Sequence, residues 1–233
     1  MHFYLFFCRA VLYNNRKDLK GGERLTQEER TKKSRALILD AAAKEFAIHG
    51  YNHASVNRIC ERGHISKGRM FHHFKDKDDI FVGTYELFYT SLIEHMKNFT
   101  FSEDEPLEEV LDNFFNYRQE YLFSNPYLSV FMRNNILSVP EINRERCAEI
   151  RAEFWEKEEA ILGDIIEKVY PDLKGENKDM VVKIFGIASS YVHFNVNNQV
   201  FEPDRDMSAL RESNRRVFSR VINIMLYGIY PRD

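Results

Sequence analysis

Between Thr31 and His49 apolar side chains return every three or four residues, at Leu37, Ile38, Ala41, Ala42, Phe46 and Ala47. That period predicts an amphipathic helix, and Gly50 ends it. Ser55 stands where a helix cap belongs, and Val56, Ile59 and Cys60 form the inward side of a short second helix that closes near Gly63 and His64. A third helix begins at Ser66 and runs to about Phe74, and Asp76 caps a fourth. Two short helices around a tight turn, the second opened by a serine and carrying basic side chains, make a helix-turn-helix pattern. Further on, Ile80, Phe81, Tyr85, Phe88, Leu92 and Met96 share one face, and Leu107, Val110, Leu111, Phe114, Phe115 and Leu122 share another. Pro106, Pro126, Pro140, Pro171 and Pro203 fall where helices begin or break. The spacing predicts helices near 76–98, 106–123, 127–138, 141–169, 177–199 and 206–229, with no strand alternation and no internal repeat. The expected fold class is all-α: a three-helix domain over residues 26–75, then a larger helical domain over 76–233.

The first 25 residues stand apart from this pattern. MHFYLFFCRAVLY is apolar but broken by Arg9, too short to span a bilayer, and followed by no small-residue cleavage site. No membrane partner is expected. A purine-rich ribosome-binding stretch would encode Lys20, Gly21 and Gly22, and Leu25 is a candidate TTG start. Residues 1–24 are therefore expected to be either non-native or an ordinary flexible extension.

Composition narrows the class. With 44% hydrophobic residues, 30% charged, 19 Phe and 12 Tyr, the 233-residue chain has the material for a sizeable core. Three widely spaced cysteines, Cys8, Cys60 and Cys147, suggest neither a disulfide framework nor a zinc site and fit a reducing cytoplasm. The net charge of −3 conceals an asymmetry. Residues 24–80 carry 12 basic against 8 acidic side chains, whereas residues 101–170 carry 7 against 16. A mildly basic front precedes an acidic body, as suits a small polyanion-binding module joined to a different domain.

The stretch AAAKEFAIHGYNHASVNRICERGHISKGRMFHHFKDKDDIF resembles the DNA-binding domain of the TetR family of bacterial transcriptional regulators. The resemblance covers roughly residues 32–82. It rests on Phe46 with Gly50, on Ser55 with Ile59, and on Ser66, Lys67 and Gly68 followed by Phe74, Lys77 and Ile80. It implies a homodimer on a pseudo-palindromic double-stranded operator, with a carboxy-terminal domain for ligand binding and dimerisation. Two positions depart from the family pattern: His64 stands where glycine usually makes the turn, and Phe71 where tyrosine is usual. Histidine tolerates a left-handed backbone better than most residues, so the turn is expected to survive. Phe71 has no hydroxyl for a phosphate.

The candidate DNA-binding residues are Ser55, Ser66, Lys67, Gly68, Arg69, Phe71, His72, His73, Lys75 and Lys77. Gly68 lets the backbone approach a duplex, and the Arg69 guanidinium has the fork that reads both guanine acceptors. His72 and His73 add single bonds, while Lys67, Lys75 and Lys77 suit phosphates. The unpaired N–H groups at the helix starts of Ser55 and Asp76 are further phosphate candidates. Met70 and Phe74 are expected to turn inward. Adjacent positions such as His72 and His73 point about 100° apart on a helix and so do not converge on one metal ion. Gly50 separates His49 from His53. No nucleophile or acid pair with a catalytic pattern occurs, so neither an enzyme, a cofactor nor a metal is expected.

In the body, the segments around Gly186, Ala188, Ser189 and Ser190 and from Leu210 to Tyr230 combine small residues with apolar stripes. In the TetR family the corresponding helices build the dimer's four-helix bundle. Phe114, Tyr117, Tyr121, Phe131, Trp155, Tyr191 and Phe194 are the candidate lining of a pocket for a small, largely apolar or aromatic effector, with plain core packing as the alternative. Glu153, Glu156, Glu158 and Glu159 near Trp155 favour a cationic or neutral ligand, and three of them are expected to face water. The expected function is a repressor released from DNA by that effector. The alternative is a structural or cell-cycle DNA-binding protein without an inducer.

Overall fold

A computed structural model describes residues 26–135, 139–196 and 208–228; the side chains of residues 193–196 and of Leu210 lie outside it, as does the extension over residues 1–25. Every regular element among the described residues is helical, as the periodicity predicts. In chain order they are α1 (Gln27–His53), α2 (Val56–Gly63), α3 (Lys67–His73), α4 (Lys77–Met96), α5 (Leu107–Ser124), α6 (Pro126–Asn135), a 3₁₀ turn (Glu141–Asn143), α7 (Arg144–Val169), α8 (Gly175–Val196) and α9 (Ser208–Tyr227).

Helix α1 starts earlier than its apolar stripe because Thr26 and Glu29 cap it reciprocally. The Thr26 hydroxyl accepts the Glu29 N–H at 3.2 Å, and the Glu29 carboxylate accepts the Thr26 N–H at 2.7 Å. Gly50 interrupts the helix with φ 67° and ψ 170°, a conformation open to glycine and strained for other residues, before the chain turns helical again to His53. At the other critical turn His64 does adopt the left-handed conformation, φ 51° and ψ 45°, and its N–H closes α2 on the carbonyls of Cys60 and Glu61.

The chain packs as two compact units. The first comprises the described residues up to Ser91 together with Ser124–Arg151. The second comprises Leu92–Phe123 together with the described residues from Ala152 onward. The described residues of 124–151, which the sequence pattern groups with the carboxy-terminal domain, therefore cluster with the amino-terminal ones. The reason is Phe131 of α6. Its ring lies 5.8 Å from Phe46 and 5.1 Å from Phe81, which are themselves 5.5 Å apart, and all three are sealed from solvent. Burial of each such ring stabilises the unit by roughly 1.5–3 kcal/mol.

In the second unit α5 and α9 run antiparallel in a readable register. Glu108 meets Tyr227, Asp112 meets Arg215 at 3.4 Å and Ser219 at 2.5 Å, Phe115 stacks on Phe218 at 3.7 Å, and Phe123 lies under Arg211. Phe185 of α8 joins this layer, 5.7 Å from Phe114 and 5.1 Å from Phe218. One turn further along the same register comes a polar layer. Arg118, Gln119, Glu158, Ser189 and Asn214 are all buried there.

Candidate nucleic-acid interface

The first unit builds its exposed basic surface on a small, fully buried support. Met70 and Phe74 do turn inward, with 0% and 2% of their surface accessible, and Ile59 of α2 is also sealed. The rest of α3 consequently faces solvent: Lys67, Gly68, Arg69, Phe71 and His72 are exposed, with Ser66 before them and Lys75 after. Ser66 caps the helix, its hydroxyl accepting the Arg69 N–H at 3.3 Å. A β-carbon on Gly68 would meet nothing within 4 Å, so the glycine keeps the helix face flat and open. Phe71 presents a ring that is 53% exposed beside these basic side chains. Among the described residues no ion pair holds the Lys67 or Arg69 side chains.

Three sequence candidates are placed differently from expectation. Ser55 occupies the cap position of α2, but its side chain makes no capping bond. Its N–H donates instead to Glu45, at 3.2 Å, so a protein carboxylate already sits where a phosphate was expected. Likewise the start of α4 is supplied by its own acids: Asp76 accepts the Asp79 N–H and Asp79 accepts the Lys75 N–H, both at 2.9 Å. Lys77 is half-buried rather than free, donating to the Tyr51 carbonyl at 3.0 Å with its ammonium 4.3 Å from the Tyr51 ring centre. The Tyr51 hydroxyl donates to Asp78, and burial together with that acid pushes its pKa up to about 12. Lys77 thus fastens α4 to the end of α1. His73 is half-buried and stacks on His72 with ring centres 5.3 Å apart. Burial first, then the neighbouring His72, Arg35 and Arg69, hold its pKa below the usual histidine range. Among the described residues no group of three or more His, Cys, Asp or Glu side chains is arranged to hold a metal ion.

Glu45 is the residue that sequence reasoning missed. It is wholly buried, yet accepts from Arg58 Nε at 2.6 Å and from the Ser55 N–H, with Arg62 at 3.5 Å and His49 at 3.6 Å. Burial pushes its carboxyl up. The Arg58 and Ser55 bonds and the His49 charge outweigh that and leave it below the usual glutamate range. Its position carried a signal, because residues 38, 41, 42, 45 and 46 form one apolar-spaced face of α1 and Glu45 is the only charge on it.

The described aromatic candidates have different surroundings within their units. Phe131 belongs to the first unit, and Phe114 is locked in the ring layer of the second. Tyr117 and Tyr121 surround His95, whose Nε2 lies 2.8 Å from the Tyr117 carbonyl and whose ring stacks on Tyr117 at 4.0 Å. Tyr191 is 62% exposed, and the Phe194 side chain lies outside those described. Among the described candidates, Trp155 lines a cleft. Of the four glutamates near it, Glu153, Glu156 and Glu159 face water as expected, and Glu158 is buried.

Comparison with known proteins agrees with this geometry. The family model for bacterial regulatory proteins of the tetR family matches residues 38–83, the segment from mid-α1 into α4. The HTH-type transcriptional repressor AcnR of Corynebacterium glutamicum is 47% identical over 49 residues, which is 21% of this chain and 26% of that protein. The match thus spans about a quarter of that relative's length. Over the whole fold, the transcriptional regulator FadR from Bacillus subtilis, in complex with stearoyl-CoA, superposes with a TM-score of 0.62 at 19% identity, covering 84% of this chain and 99% of that one. FadR from Bacillus halodurans, a fatty acid degradation regulator, superposes with a TM-score of 0.61 at 20% identity, covering 90% and 100%. The module sequence, the left-handed turn and the all-helical architecture converge: residues 38–83 match the bacterial regulatory proteins of the tetR family, on an all-helical fold that solved transcriptional regulators share.

Proposed function

We propose that this protein is a sequence-specific, DNA-binding transcriptional regulator that acts as a homodimer and represses until a small, largely apolar or aromatic effector releases it. The observation that carries the reading is α3. Met70 within it and Phe74 at its end are sealed, while Arg69, Lys67, His72 and the bare backbone at Gly68 form a continuous exposed face within the family-matched segment. Arg69 has the geometry to bond two guanine acceptors, with Lys67 and Lys75 on phosphates. One seven-residue recognition helix contacts few base pairs, so two copies on half-sites about 34–36 Å apart, or a multiple, give the needed affinity.

Support for self-association comes from α8 and α9. Met180, Ile187 and Tyr191 are 58%, 69% and 62% exposed at helical spacing on α8, and Val217 and Ile224 are 40% and 52% exposed on α9. Such a stripe on two packed helices is the face a second copy would cover. The effector acts only through differential affinity for the DNA-competent and DNA-incompetent states. One observation favours the alternative of a DNA-binding protein without an inducer: the ring layer of Phe114, Phe115, Phe185 and Phe218 is completely filled.

The test is binding to the intergenic DNA beside the protein's own gene, against scrambled competitor at near-physiological salt. Saturable binding that resists competitor, with dimer stoichiometry, is expected. Salt-sensitive binding that is equal on both DNAs would contradict the proposal.

A further inference from the structure

The second unit holds a cleft of about 230 Å³ between α7 and α8, walled by Trp155, Leu162, Val182 and Ile187, with Glu159 and Lys183 exposed at its rim. Its floor is Glu158, a carboxylate with 1% of its surface accessible. Arg118 lies 3.1 Å from one carboxylate oxygen, Oε1, without the alignment of a hydrogen bond. The other oxygen, Oε2, has no hydrogen-bond partner and lies beside Gly186, 3.9 Å from where a β-carbon would stand. That β-carbon would also press to 3.0 Å against Trp155 Cζ3, so the absent side chain at Gly186 leaves room beside the indole.

These groups specify a ligand class. A buried carboxylate oxygen only accepts, and it favours a charged donor over a neutral one. An indole face attracts cations. The lining carries two carboxylates against one lysine, which disfavours an anion. We propose that this cleft binds a small amine, with the ammonium on Glu158 Oε2 against the Trp155 face and the apolar body along Leu162, Val182 and Ile187. The charges then alternate from Arg118 through Glu158 to the ligand. Burial pushes the Glu158 carboxyl above its usual range, and an ammonium is the partner that returns it to the ionised form. Arg118 itself stands on α5, and the Gln119 amide on α5 and the Asn214 amide on α9 are likewise buried and unpaired. Ile187 belongs both to the cleft and to the exposed apolar stripe, which ties occupancy to self-association. As the site of an effector, the cleft rests on the regulator reading. As an amine site it does not.

Trp155 is the only tryptophan of the chain, so its fluorescence reports this cleft directly. The full chain would be titrated at neutral pH with phenethylamine, phenethyl alcohol and hydrocinnamate, which share a ring and differ in head-group charge. Saturable change with phenethylamine, affinity lower by about tenfold or more for the alcohol, and no response to the anion are expected. Glu158→Gln should weaken the amine by about tenfold or more. Because that change leaves Arg118 uncompensated, the paired variant Arg118→Met with Glu158→Leu, apolar throughout, provides a folded control with the same loss. Equal binding of the three probes, no response to the amine, or unchanged affinity in a paired variant whose circular dichroism is native would each overturn the proposal. An amine that binds at Trp155 while the protein forms no specific DNA complex upholds the cleft and fails only the regulator reading.

Discussion

Each unit of the molecule seals a glutamate away from water, and the two differ in what surrounds it. In the first, Glu45 gathers a backbone N–H, two arginines and a histidine, and its carboxyl is held below the usual range. In the second, Glu158 faces only Arg118 among the described residues, with poor alignment, and its carboxyl is pushed up by burial. Burial is common to both, so the number of donors decides. A carboxylate with its lone pairs filled behaves as a structural tie between helices, whereas one with an empty oxygen is a group waiting for a partner.

The sharpest test of that contrast removes one charge at a time in the second unit. Glu158→Leu leaves the Arg118 guanidinium buried, unable to lose its proton, and should cost about 3–5 kcal/mol in denaturant unfolding. Arg118→Met should cost less, because the Glu158 carboxyl can take up a proton; equal losses would undo the argument. In the first unit, Glu45→Leu should cost about 2–3 kcal/mol, less than Glu158→Leu, since Arg58 and Arg62 lie at the surface and can turn to water.

Acid separates the two sites by sign. Glu45 has a lowered folded pKa, so its contribution is present above the unfolded value near 4.5 and is lost as pH falls through the lower folded value. Glu158 has a raised folded pKa, so its contribution declines as pH rises from about 4.5 toward the folded value. Unfolding curves of Glu45→Gln and Glu158→Gln against pH should therefore diverge from the parent protein in opposite directions. Parallel curves would show that donor number is not what distinguishes the sites.

On the side proposed to face DNA the effects are smaller. Arg69→Ala should weaken specific binding by about 1–3 kcal/mol and relax sequence preference, while Lys75→Ala should weaken all sequences alike and lower the salt slope by about one. Equal losses on every sequence for both variants would remove the division between base-reading and phosphate roles. The smallest change expected is for His64→Gly, which relieves a left-handed histidine and should alter stability by about 1 kcal/mol or less.

Much of the first unit is legible in the sequence because its signals are local. The stripe from Leu37 to Ala47, the break at Gly50 and the turn at His64 each depend on neighbours within a few residues. Long-range partners are not local. Nothing in the spacing around Phe131 reveals that it packs on Phe46 and Phe81 rather than among the aromatics of the second unit, and periodicity cannot distinguish one apolar core from another. The buried glutamates are an intermediate case. Glu158 falls four residues after Phe154 and four before Leu162, on the inward face of α7, just as Glu45 falls on that of α1. A charged residue in phase with an apolar stripe marks a buried charge, but its partner comes from another helix and only the fold supplies it.

The seven-residue helix α3 divides its labour unevenly, with Met70 anchoring it while Lys67, Gly68, Arg69, Phe71 and His72 remain outside the core. In evolutionary terms this leaves the target preference proposed for the helix almost free to drift. A lineage can exchange the five outward residues, and so move to a new target, without passing through an intermediate that fails to fold.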